Sequence, residues 1–86
     1  MTMNFRQGWK DYLQGQPFPE ADVFDRWPHR NQVTYEQGRR AAVIVSTYHK
    51  HHGGKPTARP KPLEKYPAEV RFQIYNERKD KLCVRG

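Results

Sequence analysis

The sequence has little of what stabilises most small folds. It contains one cysteine, Cys83, so it can form neither an intrachain disulfide framework nor a multi-cysteine zinc site. Hydrophobic residues make up 35% of the 86 residues, below the roughly 45–50% of an ordinary globular domain. A chain this short and this polar buries only a small core. We therefore expect one small domain, with too little scaffold for most classical enzyme folds.

Long apolar stretches are also absent. The longest apolar run covers residues 41–45, whereas a helix that spans a bilayer needs roughly 20 such residues. Residues 1–6 lack the positive start and the apolar stretch of a secretory signal. We therefore expect a cytoplasmic protein with no membrane partner.

Sequence signatures of catalysis are missing as well. There is no phosphate-binding loop of the GxxxxGK(S/T) type and no recognisable Ser/His/Asp order. The grouped carboxylates of Glu20, Asp22 and Asp25 are explained by helix capping or ion pairing. The histidines at 49, 51 and 52 lack a carboxylate or cysteine at ligand spacing. We expect a non-enzymatic protein that needs no cofactor and has no metal site.

Positive charge is abundant and unevenly distributed. The formal net charge is +7. Residues 1–48 hold six Lys or Arg against five Asp or Glu, whereas residues 49–86 hold ten against four. A nearly neutral first half followed by a basic arm indicates a polyanionic partner, most often nucleic acid.

A first helix is predicted over residues 4–14. Apolar residues at positions 5, 9, 12 and 13 share one face of a 3.6-residue period. Asn4 is suited to the N-cap, and Gly15 is suited to the position just past the end. Gly8 lies inside this helix, where a glycine usually allows another backbone to approach closely.

A second, longer helix is predicted over residues 31–50, with Asn31 as its N-cap and glycines at 53 and 54 as its stop. It also contains an interior glycine, Gly38. Two helices with one interior glycine each indicate a closely packed helical hairpin.

The connection between the two helices, residues 16–30, contains three prolines that exclude a continuous helix. Its aromatic residues Phe18, Phe24 and Trp27 are too apolar for all of them to face water. We expect them to fold back over the helices and cover the core.

The second half divides into two segments. Residues 51–63 are predicted to be a basic Gly/Pro linker, and residues 64–86 a C-terminal extension. The predicted organisation is therefore a helical hairpin over residues 1–50, followed by the linker and the extension.

The extension allows two interpretations. Polar and apolar residues alternate over residues 69–75, which favours a strand and, with residues 82–84, a small β-hairpin. Several helix-favouring residues support a helix instead, as does Pro67, which is suited to a first helical position. The β-hairpin is preferred, and the fold class is mainly α with this small addition.

Two short motifs carry a family resemblance. Residues 7–15 (QGWKDYLQG) contain a glycine, then an aromatic, and a second glycine seven residues after the first. Residues 35–42 (YEQGRRAA) contain an aromatic, two further residues, a glycine, two arginines and then two small residues. With the Pro-bearing connection between them, residues from about 4 to 46 resemble the ribosome modulation factor family of small proteins.

The resemblance implies a small basic helical protein that binds the ribosome in stationary-phase hibernation. Some relatives are carried by phages or plasmids. Arg39 stands where the family usually has an aromatic, and residues 50–86 have no counterpart in it.

The candidate nucleic-acid-binding residues are cations in two places. A pair in the second helix lies beside small residues, which allow a phosphate backbone to approach two guanidinium groups. The basic arm spaces further cations along an extended segment, flanked by two tyrosines that are able to stack on unpaired bases. The full set is Arg39, Arg40, Lys50, Lys55, Arg59, Lys61 and Lys65.

Two functions are compatible with these features. The first is a non-enzymatic RNA- or ribosome-binding protein whose partner is ribosomal RNA or another nucleic acid. The alternative is a phage- or plasmid-encoded protein-interaction module that inhibits a host protein through Phe18, Phe24 and Trp27.

Overall fold

A computed structural model describes the backbone of residues 4–85 and the side chains of residues 4–77. Within that part of the chain the fold is mainly α, as the sequence predicts, and contains no strand. No helix there is long and apolar enough to cross a membrane. The elements are α1 (Phe5–Leu13), α2 (Ala21–Asp25), α3 (His29–His52), a 3-10 turn (Leu63–Lys65) and α4 (Ala68–Arg85).

Local capping fixes both ends of α1, as predicted. The Gln7 backbone N–H donates to the Asn4 side-chain oxygen at 3.1 Å. At the other end Gly15 adopts φ 74°, a left-handed conformation that favours glycine. The Gly15 N–H donates to the Tyr12 carbonyl at 3.0 Å and the Gln16 N–H to the Asp11 carbonyl at 2.9 Å. These two bonds satisfy carbonyls that the end of the helix leaves open.

Backbone contact between α1 and α3 occurs at two glycines. A Cβ on Gly8 would overlap the Tyr35 carbonyl oxygen, and a Cβ on Gly38 would overlap the Phe5 carbonyl oxygen. The prediction that these glycines let the two backbones approach closely is confirmed.

The start of α3 differs from the predicted one. Pro28 rather than Asn31 is the N-cap, and the helix begins at His29. The Pro28 carbonyl accepts from the Gln32 N–H at 3.1 Å. Proline is tolerated here because its missing N–H would have had no partner inside the helix. Gly53 follows the last residue of α3, as predicted.

The preferred C-terminal β-hairpin is wrong, because residues 68–85 form α4. Val70 and Ile74 are almost fully buried, whereas Phe72 between them is 67% exposed. Burial at every fourth residue is the pattern of a helix, while a strand would place residues 70, 72 and 74 on one face. The Pro67 carbonyl accepts from the Val70 and Arg71 N–H groups, both at 3.0 Å, so Pro67 lies just before the first helical residue.

One core joins the first and last thirds of the chain. Trp9 from α1 and residues from α3 pack with Val70 and Ile74 from α4. The Trp9 indole N–H donates to the Thr57 carbonyl at 3.0 Å. The Trp9 ring also lies 6.4 Å from the Tyr66 ring, measured between centroids. The Pro-rich segment, defined here as residues 55–66, is therefore held against α1.

Candidate nucleic-acid interface

A cationic groove lies between α1 and the Pro-rich segment. It has a volume of about 490 Å³. Three cationic side chains, Arg6, Lys10 and Arg59, line it together with the amides of Asn4, Gln7 and Gln14. Guanidinium, ammonium and amide N–H groups are the donors that proteins commonly offer to phosphate oxygens.

Secondary structure and one long-range contact position the three cations. Arg6 and Lys10 are four residues apart on α1, so they lie on the same side of the helix. Arg59 comes from the Pro-rich segment, which the bond between the Trp9 indole and the Thr57 carbonyl holds in place. The Thr57 hydroxyl also donates to the Arg59 carbonyl at 2.5 Å.

The groove is electropositive because its described lining contains no carboxylate. The nearest acidic residue along α1, Asp11, does not line the groove, although one of its two oxygens is bonded to a side chain that does. One accepts from the Gln7 side-chain amide at 2.7 Å. The other accepts from the Tyr35 hydroxyl at 2.7 Å. Burial raises the pKa of the Tyr35 phenol, and the bond to the Asp11 carboxylate raises it further.

The predicted pair Arg39 and Arg40 lines one shared depression of about 260 Å³, but each guanidinium is also bound within the protein. Arg39 is half-buried, and its guanidinium donates to the Tyr35 hydroxyl at 3.1 Å and to the Gln16 carbonyl at 2.9 Å. Arg40 lies 3.4 Å from the Glu77 carboxylate of α4. Each arginine thus has an intramolecular partner, and a phosphate contact by either stays a prediction.

The predicted cations of the basic arm are distributed over different surfaces. Arg59 belongs to the groove described above. Lys61 and Lys65 line a narrower cleft of about 170 Å³ whose other walls include Tyr48 and Tyr66. The remaining two, Lys50 and Lys55, are exposed and line neither cavity.

The aromatic residues of the connection between α1 and α3 gather around the buried Tyr35. Ring centroids are 4.9 Å apart for Phe18 and Phe24, 5.2 Å for Phe24 and Trp27, and 5.1 Å for Trp27 and Tyr35. Phe24 and Trp27 are half-buried, which agrees with their expected covering role. Phe18 stays 43% exposed.

Sequence reasoning missed Arg6 and Lys10. They fall in the nearly neutral first half, so a charge count by halves conceals them. Their spacing could have predicted a shared site, because two cations four residues apart on α1 lie on the same side of the helix and form one charged surface.

The histidines near the end of α3 have contacts within the fold. The His49 ring nitrogen Nδ1 lies 2.9 Å from the Gly53 carbonyl oxygen. His52 stacks on Tyr48 with a centroid distance of 4.4 Å. In the described residues, no three His, Cys, Asp or Glu side chains are grouped as metal ligands would be.

Comparison with known proteins adds no assignment, because no family model, no curated protein and no solved structure matches this chain.

Proposed function

We propose that this protein binds RNA through the cationic groove and acts as a binding protein rather than an enzyme. The observation that carries the proposal is the convergence of Arg6, Lys10 and Arg59 on one groove whose described lining has no carboxylate. A phosphate backbone is the ligand that such a set of donors suits best.

The overall charge supports the same ligand. A net charge of +7 on 86 residues attracts a polyanion over the whole surface, and the groove provides a place where phosphates are contacted directly. Affinity that arises in this way falls as salt rises, since each neutralised phosphate releases a counterion.

Ribosomal RNA is the first candidate ligand. The resemblance of residues 4–46 to the ribosome modulation factor family supports this choice, and so does the position of Arg6 and Lys10 on α1, inside the region of resemblance. Under this proposal the protein associates with ribosomal particles and regulates them by occupying a site on their RNA.

Two matched double variants test the groove. Arg6→Gln with Lys10→Gln removes two groove charges, whereas Arg26→Gln with Arg30→Gln removes two exposed charges with the same four-residue spacing outside it. A plot of log affinity for a single-stranded RNA against log salt has a negative slope. We expect the groove variant to make that slope shallower by about 1.4, at about 0.7 per lost contact. Fluorescence anisotropy with a labelled oligonucleotide measures it.

Equal effects of the two variants would show that only net charge matters, and would contradict a specific groove.

Sedimentation of the tagged protein through a gradient tests separately whether the ribosome is the partner. Comigration with ribosomal particles that is weakened by salt and by the groove variant is expected. Sedimentation at the top at every salt concentration would argue against the ribosome as partner.

A protein partner remains the second candidate because of an exposed depression in which apolar side chains lie beside the charged Glu36, Arg39 and Arg40. Tyr12, Phe18 and Val43 line a cavity of about 260 Å³ and are each 36–43% exposed. Substituting Val43→Glu would place a charge in this depression with little cost in stability. If the depression binds a protein, capture of that protein is lost in V43E while RNA affinity is unchanged.

A further inference from the structure

Helix α4 has apolar side chains on two opposite faces. Val70 and Ile74 face the core and are at most 4% exposed. Phe72 and Tyr75 face away from the core and are 67% and 58% exposed. A helix that only covers a core carries polar residues on its outer face, so these two rings need another explanation.

The two rings form a small, firmly held surface. They are three residues apart, so they lie on neighbouring turns with a rise of about 4.5 Å between them. Neither has a ring partner among the residues that the structure describes. The helix beneath them is held by its buried face, which packs in the core.

The two rings by themselves supply less area than a stable interface with another protein needs. A fully buried aromatic side chain covers about 150–250 Å², so the exposed parts of the two rings supply roughly 200–300 Å². A stable protein–protein interface needs about 800 Å² from each partner. A second copy of this chain would in addition bring another net charge of +7 against the first.

We propose that Phe72 and Tyr75 form a stacking platform for unpaired RNA bases, with the exposed Arg71 beside them contacting the strand's phosphates. The proposal rests on the RNA binding proposed above and deepens it to single-stranded RNA. Aromatic rings next to a cation are the combination that holds single strands, since each base has a flat face to stack. A duplex covers those faces with neighbouring bases and gains nothing from the platform.

The test compares two double variants on α4. Phe72→Ala with Tyr75→Ala removes the rings, and Gln73→Ala with Asn76→Ala changes two exposed neighbours at the same spacing. Each protein is titrated into a labelled 12-nucleotide single strand and a 12-base-pair duplex, with circular dichroism to verify the helix content. We expect the ring variant to lose at least about tenfold in affinity for the single strand, and less than about twofold for the duplex.

Each possible outcome is decisive. Salt-dependent RNA binding that is unchanged in F72A/Y75A would overturn the platform and leave the groove proposal intact. Absence of binding to either RNA by the unaltered protein would overturn both. A dimer in sedimentation equilibrium that becomes a monomer in F72A/Y75A, with RNA affinity unchanged, would assign the rings to self-association and overturn the platform.

Discussion

At the scale of single residues, Gly8 and Gly38 set the distance between α1 and α3. Each glycine faces a carbonyl oxygen of the opposite helix, where a methyl group does not fit. No side-chain layer separates the helices at these points, so the packing depends on backbone shape. Because neither glycine has a Cβ, the Tyr35 carbonyl of α3 packs directly on Gly8, and the Phe5 carbonyl of α1 packs directly on Gly38.

Substituting Gly38→Ala is expected to destabilise the protein although alanine favours helices by about 1 kcal/mol. Overpacking against the Phe5 carbonyl costs about 1–3 kcal/mol, and the backbone that must move belongs to another helix. Urea denaturation gives the free energy of unfolding. Thr47→Ala, at an exposed position of the same helix, serves as the control and should leave stability unchanged or slightly raised. A stabilised G38A would contradict the close contact.

The Tyr35 phenol gives a prediction for pH. Its pKa in the folded state is raised by burial and then by the Asp11 carboxylate, above the value of about 10 in an unfolded chain. The stability this confers is complete below about pH 10 and is lost as pH rises through the folded pKa.

The stability of Tyr35→Phe should therefore fall less steeply above pH 10 than that of the unaltered protein. Thermal unfolding between pH 8 and pH 11.5 measures both profiles, and Tyr66, whose pKa burial also raises, contributes equally to each. Parallel profiles would argue against the assigned environment of Tyr35.

At the scale of elements, α1 was predictable and α4 was not, for one physical reason. The ends of α1 depend on neighbouring residues, Asn4 and Gly15, whose capping preference is visible in the sequence. In α4, alternating apolar residues at 70, 72 and 74 indicate a strand as long as all three are assumed to be buried. Only the packed structure shows that Phe72 is exposed. Tertiary contacts, rather than the local sequence, therefore decide between helix and strand in this segment.

Three single substitutions distinguish a helix from a strand in this segment. Ile74→Ala should cost about 2–5 kcal/mol because its side chain is buried in the core. Phe72→Ala should change stability by less than about 0.5 kcal/mol, because its side chain is mostly exposed. Val70→Ala should also destabilise the protein, because the Val70 side chain is buried in the same core. Comparable losses at residues 70, 72 and 74 would support a strand with one buried face.

At the scale of the whole molecule, the sequence predicted that the second half of the chain is basic and binds a polyanion. It did not show which residues of the first half this basic half packs against. Arg59 was among the predicted residues, whereas its neighbours in the groove come from α1. They meet because Trp9 binds Thr57, which is 48 residues further along the chain. A pairing of that range leaves no periodic signal in a single sequence, so composition alone could not place the groove.

Trp9→Phe tests this link. Loss of the indole N–H leaves the Thr57 carbonyl without its bond, and the smaller ring leaves a gap, for an expected loss of about 2–4 kcal/mol. The Pro-rich segment should also become more sensitive to a non-specific protease, as judged by mass spectrometry. Trp27→Phe makes the same change at a half-buried tryptophan that packs on Tyr35, and serves as the control. Equal protection of the segment in W9F would contradict its anchoring by Trp9.

The contact between Trp9 and Thr57 also has a consequence for folding order. It closes a loop of 48 residues, whose entropic cost of roughly 3.4 kcal/mol, beyond a constant, must be met before the contact forms. The groove is complete only when this contact has formed, because the contact holds the segment that carries Arg59 against α1. A chain synthesised only as far as α3 therefore holds Arg6 and Lys10 without Arg59, so under the RNA-binding proposal it lacks the completed site.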